Sequence, residues 1–117
     1  HQSRTAAAIL ENGAFCVNIL REDQSEIADR FGGRIKLDDD DKFASGQWVE
    51  DGDNAPRLAD AVVAFDCRVV SAERVGTHHI FIGAVEAVAV GSGSALIYAG
   101  RAYSRPQRID PVKPVAR

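Results

Sequence analysis

The chain is poor in the residues and runs that mark several large protein classes. Its 117 residues contain only two cysteines, Cys16 and Cys67. Neither belongs to a Cys-x-x-Cys pair or has a histidine close in sequence, so zinc and thiol chemistry lack a signature and no metal site is expected. Both sit in apolar stretches, the setting of reduced core residues rather than of a disulfide. Basic charge is not in excess: 14 Lys and Arg stand against 17 Asp and Glu, for a net charge of -3. That balance argues against nucleic acid or an acidic membrane surface as the main partner. No apolar run approaches the ~20 residues of a membrane-spanning helix. The opening His1-Gln-Ser-Arg-Thr5 shows no secretory signal, and a cytoplasmic location is the expectation. Gly91-Ser-Gly-Ser94 lacks the strand-glycine-helix setting of a dinucleotide loop and reads as a turn.

What is present is ordinary for a globular protein, with 45% hydrophobic and 26% charged residues. One domain is expected over residues 1–105, with a proline-bearing tail at 106–117. Ser3 to Asn12 reads as a short helix, because Ala6, Ile9 and Leu10 recur at helical spacing and Gly13 follows as a stop. Residues 14–20 alternate as a strand, with Phe15, Val17 and Ile19 on one face and Cys16 and Asn18 on the other. Asp23 is the expected N-cap of a second helix, Gln24 to Phe31, with Glu26 in a capping-box-like start and Gly32-Gly33 at its end.

Regularity is lost from Arg34 to Pro56, where Phe43 and Trp48 are the large apolar anchors. The run Asp38-Asp-Asp-Asp41-Lys42 is solvated and self-repelling. It matches an enteropeptidase site, read as coincidence because its flanks look native, and no ligand cage surrounds it. Residues 61–70 alternate again, with Val63, Phe65, Cys67 and Val69 inward and Asp66 and Arg68 outward. A turn at Arg74–Thr77 leads to a long strand over 77–90, and Gly91–Ser94 reads as a hairpin turn into a strand over 95–98. The expected class is α+β, mainly β: a small antiparallel barrel or sandwich with two short helices. Four or five strands leave open edges, so either a partner supplies strands or the chain begins partway through its domain.

The long strand carries the most distinctive segment, Gly76-Thr-His-His-Ile-Phe-Ile-Gly83. His78, Ile80, Ile82 and Ala84 share one face, while His79 and Phe81 share the other. A strand apolar on both faces is expected to be buried on both. Imidazoles at its open end, and a glycine that lets another group approach the backbone, describe the lip of a pocket.

Taken in order, these stretches resemble the short-chain flavin reductases. The resemblance rests on Ser3-Arg-Thr5 opening a helix, Gly13-Ala-Phe-Cys-Val-Asn-Ile-Leu20, Ile27-Ala-Asp-Arg-Phe-Gly-Gly-Arg34 and Trp48. It continues through Ala55-Pro-Arg-Leu58, Phe65-Asp-Cys-Arg-Val69, Gly76-Thr-His78 with Gly83, and Leu96 to Tyr103, covering about residues 3 to 105. It implies an antiparallel Greek-key split barrel that binds FMN, forms a homodimer and supplies reduced flavin to a partner monooxygenase.

By the same resemblance, Ser3, Arg4 and Thr5 meet the flavin phosphate, where a helix start offers hydroxyls, free N–H groups and a favourable dipole. Phe31, Gly32 and Arg34 border the flavin ring, Gly83 is a further cofactor-binding candidate, and Tyr103 is a candidate for stacking on nicotinamide or adenine. His78 lines the nicotinamide side as the catalytic candidate. Its role is positional and electrostatic, since the cofactors carry the hydride chemistry and the protein holds the reacting atoms at about 3–3.5 Å. His79, on the opposite face, reads as structural. Each of these residues also has a plain reading as helix cap, packing residue or rim aromatic.

The chain departs from the family pattern twice. Thr77 stands where the family often has aspartate, and the family's upstream "TxxSFxSVSxxPP" strands are not in the sequence. The chain is therefore expected to be the C-terminal portion of a longer protein. The function expected is an NAD(P)H-dependent flavin reductase using FMN or FAD, and NADH or NADPH. The alternatives are a non-catalytic flavin-binding split-barrel protein, or a truncated domain without activity.

Overall fold

The computed structural model describes residues 4–32, 43–50, 52 and 54–112. Helix α1 (Arg4–Asn12) is followed by β1 (Ala14–Ile19), α2 (Ser25–Phe31), β2 (Trp48–Val49), β3 (Arg57–Leu58), β4 (Val63–Val75), β5 (His78–Val90), β6 (Ile97–Ala99) and β7 (Ala102–Ser104). The class is the expected one, mainly β and antiparallel with two short helices. A three-stranded sheet runs β1-β4-β5, with two-stranded ribbons β2-β3 and β6-β7 beside it.

Helix α1 stops where the sequence implies. Gly13 takes φ +67° and its N–H donates to the Ile9 carbonyl at 2.8 Å. The Gly13 carbonyl then accepts from Val69 N–H at 2.9 Å, which ties the helix end to β4. Helix α2 departs from expectation at its start. Gln24, not Asp23, occupies the cap, with no side-chain cap bond. Its amide is used elsewhere: Oε1 accepts from Arg21 N–H at 2.7 Å, while Asp23 pairs with Arg21 at 3.0 Å. Burial of Gln24 makes that backbone bond worth more than a solvated cap.

Strands β4 and β5 form one long hairpin of 13 residues per strand, each spanning about 43 Å. Its loop is the residue pair Gly76-Thr77, not the longer turn expected, because Val75 pairs with His78. Gly76 has φ +61°, as the first position of a two-residue type II′ turn requires. Two bulges interrupt the ladder, at Glu86 on β5 and at Val70 on β4. Residues 91–94 are not a hairpin turn. They carry the chain to the end of β1, where Ala95 bridges Arg21 and Leu96 N–H donates to the Leu20 carbonyl at 2.8 Å. The following strand then pairs with β7 through Gly100-Arg101, both at positive φ.

The core lies at the β1 end of this hairpin. Ile27, Leu58 and Ala61 are buried, and Leu20 and Trp48 pack against them. Asn18 fastens β3 onto β1, its Oδ1 accepting from Leu58 N–H at 2.9 Å. The short strands β2 and β3 were not legible in the sequence, since two residues carry no periodicity. Asp66 was expected outward, yet one carboxylate oxygen is shielded from solvent without a hydrogen-bond partner. The reason is that Val49, Asn54, Ala55 and Arg57 lie with Asp66 around one recess.

Beyond Val69 the hairpin projects from the body. Its β5 face bearing His78, Ile80 and Ile82 is exposed, against the expectation of burial on both faces. The molecule extends 57 × 31 × 30 Å.

Candidate functional site

Two clefts meet at α1. The larger, of about 950 Å³, is lined by α1, β1, α2 and the loop from Phe43 to Pro56. Alternation along β1 and β4 sends Cys16, Asn18 and Arg68 to its wall, although Arg68 was expected to point outward. Ile27, Ala28 and Phe31 supply the α2 side. The smaller, of about 370 Å³, is lined by Thr5, Ala6 and Ile9 from α1 and by Thr77, His78, His79 and Phe81 from the hairpin tip. Thr5 and Ile9 line both.

The expected site residues distribute unevenly over these clefts. Thr5 and His78 come together in the smaller one, although 73 positions (78 − 5) separate them in sequence. His79 is there too and is the more buried of the pair, lying stacked at 5.9 Å on Phe81. Alternation alone had assigned it to the far side. Phe31 lines the larger cleft. Arg4 is the first residue of α1 and is exposed.

At Gly83, a Cβ would meet Phe15 Cζ at 2.5 Å, so the group that approaches this backbone is a ring from β1. Tyr103 lines neither cleft. Its hydroxyl donates to Asp29 Oδ1 at 2.6 Å, and its ring meets Tyr98 edge-on at 5.3 Å. Ser3 and Arg34 lie outside the described residues, as does the acidic run 38–42.

Sequence reasoning missed how completely the irregular loop contributes. Phe31, Phe43 and Trp48 form a triad with all three centroid separations at 5.2 Å, and every member lines the larger cleft. Their isolation as the loop's aromatics was the one available signal. On the wall nearby, the Cys16 thiol is pushed up to about 12, first by burial and then by the Asp66 carboxylate beside it. A thiol held so firmly protonated is no nucleophile. The arrangement is therefore a binding site with apolar and aromatic walls, a helix start and a pair of imidazoles, without a nucleophile–base couple.

The profile of the flavin reductase-like domain matches residues 1–107. The chain belongs to that family. The flavin reductase-like chain is 46% identical over 102 residues to an FMN reductase (NADH), RutF 1, of Methylorubrum extorquens, covering 86% of this chain and 50% of the relative. It thus spans about half the length of the curated relatives it matches. Component B of a nitrilotriacetate monooxygenase from Mycobacterium thermoresistibile superposes with TM-score 0.79 at 28% identity, covering 95% of this chain and 63% of the other. BorF, the flavin reductase component of a bacterial two-component tryptophan halogenase, superposes with TM-score 0.78 at 26% identity, covering 92% and 69%. The fold of this flavin reductase-like chain is that of those two proteins over the matched region.

Proposed function

We propose that the protein containing this chain is an NADH-dependent flavin reductase that reduces FMN and passes it to a monooxygenase-type partner. The observation that carries the reading is that Thr5 and His78 line one cleft, next to a larger one that Thr5 and Ile9 also line. The residues present fit a flavin. Thr5, in the first turn of a nine-residue helix, offers a hydroxyl and the positive end of the helix dipole to a phosphate. Apolar walls suit a planar ring, and FMN, when bound, accepts the hydride.

His78 is the residue that orients the nicotinamide, and its exposed ring leaves it free to meet a ligand that enters from solvent. His79, braced by Phe81, shapes the floor. The relative's name supplies NADH and FMN, and the neighbours' titles supply the recipient: each is a component of a two-component system or a monooxygenase. A cytoplasmic setting goes with this function and agrees with two free thiols. So does a homodimer, since the exposed Val75, Ile80 and Ile82 lie on one face of the projecting hairpin.

The test is oxidation of NADH by the full-length protein, followed by absorbance with and without added FMN. Turnover dependent on FMN is expected, and His78→Ala should lower the rate more than it lowers FMN affinity. Tight flavin binding without turnover would replace this reading by a non-catalytic flavin protein, and an unchanged rate would remove His78 from the mechanism.

A further inference from the structure

Phe31, Phe43 and Trp48 do more than fill space. Their rings meet at 5.2 Å with interplanar angles of 84°, 47° and 77°, so no two are stacked on each other. Phe31 and Phe43 are 39% and 44% exposed, and Trp48 is half-buried. The indole is fixed by its Nε1–H donating to the Ser45 carbonyl at 2.8 Å. A rigid, open aromatic wall of this kind binds planar ring systems by stacking.

The position of the wall decides which ring. The histidine pair lines only the smaller cleft and the triad only the larger, with Thr5 lining both. With the flavin ring meeting nicotinamide beside His78, as the flavin reductase reading has it, the triad belongs to the other cleft. The triad is then left for the second ring system of a dinucleotide, and the larger cleft of about 950 Å³ is at the upper end of small-ligand sites. Asn54, on the same loop and lining the same cleft, offers an amide donor and acceptor to a purine edge.

We propose that Phe31, Phe43 and Trp48 form an adenine-binding platform that holds the adenosine phosphate half of FAD or of NADH. The proposal rests on the flavin reductase reading for the location of the reacting rings. Base–aromatic stacking is lost on truncation at a cost corresponding to about tenfold in affinity.

The experiment measures dissociation constants of ADP, FAD, NADH and FMN by calorimetry on the full-length protein and on Phe43→Ala. Phe43 is the most exposed of the three and its truncation disturbs packing least. ADP is expected to bind about tenfold more weakly to the variant, together with FAD or NADH, while FMN is unchanged; Phe43→Tyr should restore the affinity. Weakening of FAD assigns the platform to the flavin dinucleotide, and weakening of NADH assigns it to the reductant. Equal weakening of FMN would overturn the proposal by putting the flavin ring itself on the triad. Unchanged ADP, FAD and NADH affinities in a folded variant would reduce the triad to packing. Failure of the wild type to bind FMN would sink the flavin reading, whereas the ADP arm would still test the platform.

Discussion

The two halves of the β4–β5 hairpin have similar composition, but only β4 changes surroundings between them. On β5, Val85, Val88 and Val90 near β1 are half-exposed or more, like Ile80 and Ile82 beyond it. In the half nearest β1, Ala64 and Cys67 are buried at 2% and 7% exposure. In the projecting half, Val70, Val75, Ile80 and Ile82 are 67%, 53%, 48% and 57% exposed. Local sequence does not separate them, because β-branched residues recur throughout. What differs is whether β1, β3 and α2 lie against the strand. Hydrophobic pattern states that a face needs a partner and does not name the partner.

The largest expected effect sets these halves against each other. Leu58→Ala, in the packed half, should cost about 2–5 kcal/mol in chemical denaturation, since Leu58 is 1% exposed and makes part of the core. Ile82→Ala, in the projecting half, should change protomer stability by no more than about 0.5 kcal/mol. On the proposed homodimer, its effect should appear instead in the dimer–monomer equilibrium measured by sedimentation. A large loss of protomer stability from Ile82→Ala would erase the distinction.

Gly83 stands at the junction, paired with Val69 just before the Val70 bulge. Gly83→Ala forces the new methyl against Phe15 and Cys67 and should destabilise the fold by about 1–3 kcal/mol. If it instead weakened FMN binding with no change in stability, the glycine would serve the ligand rather than the Phe15 ring.

A further test is a pH dependence confined to the packed half. Cys16 has a folded pKa of about 12 against an ordinary value of 9.0. The folded state then holds a proton that the unfolded state has lost, so this contribution is fully present below pH 9 and is lost as pH rises toward 12. Cys16→Ala should flatten the decline of stability between those limits, read from denaturation midpoints. An identical decline in the variant would show that the thiol contributes nothing to it.

Much of the framework was legible. Helical spacing with a glycine stop marked α1, and alternation marked β1, β4 and β5. The candidate site was legible only in parts. Thr5 and His78 could be named as candidates, but their proximity depends on a hairpin tip folding back over a helix. The loop strands, the aromatic triad and the shielded Asp66 left no periodic trace, because each arises from contacts between segments distant in sequence.

Backbone preference and side-chain alternation act over a few residues, so the class of fold, the helix stops and the family were written in the chain alone. Which faces are covered, which histidine is braced and which aromatics meet were settled only on folding. Those outcomes depend on the order of strands and the two bulges, and a single extra residue in a ladder changes which face every later side chain takes.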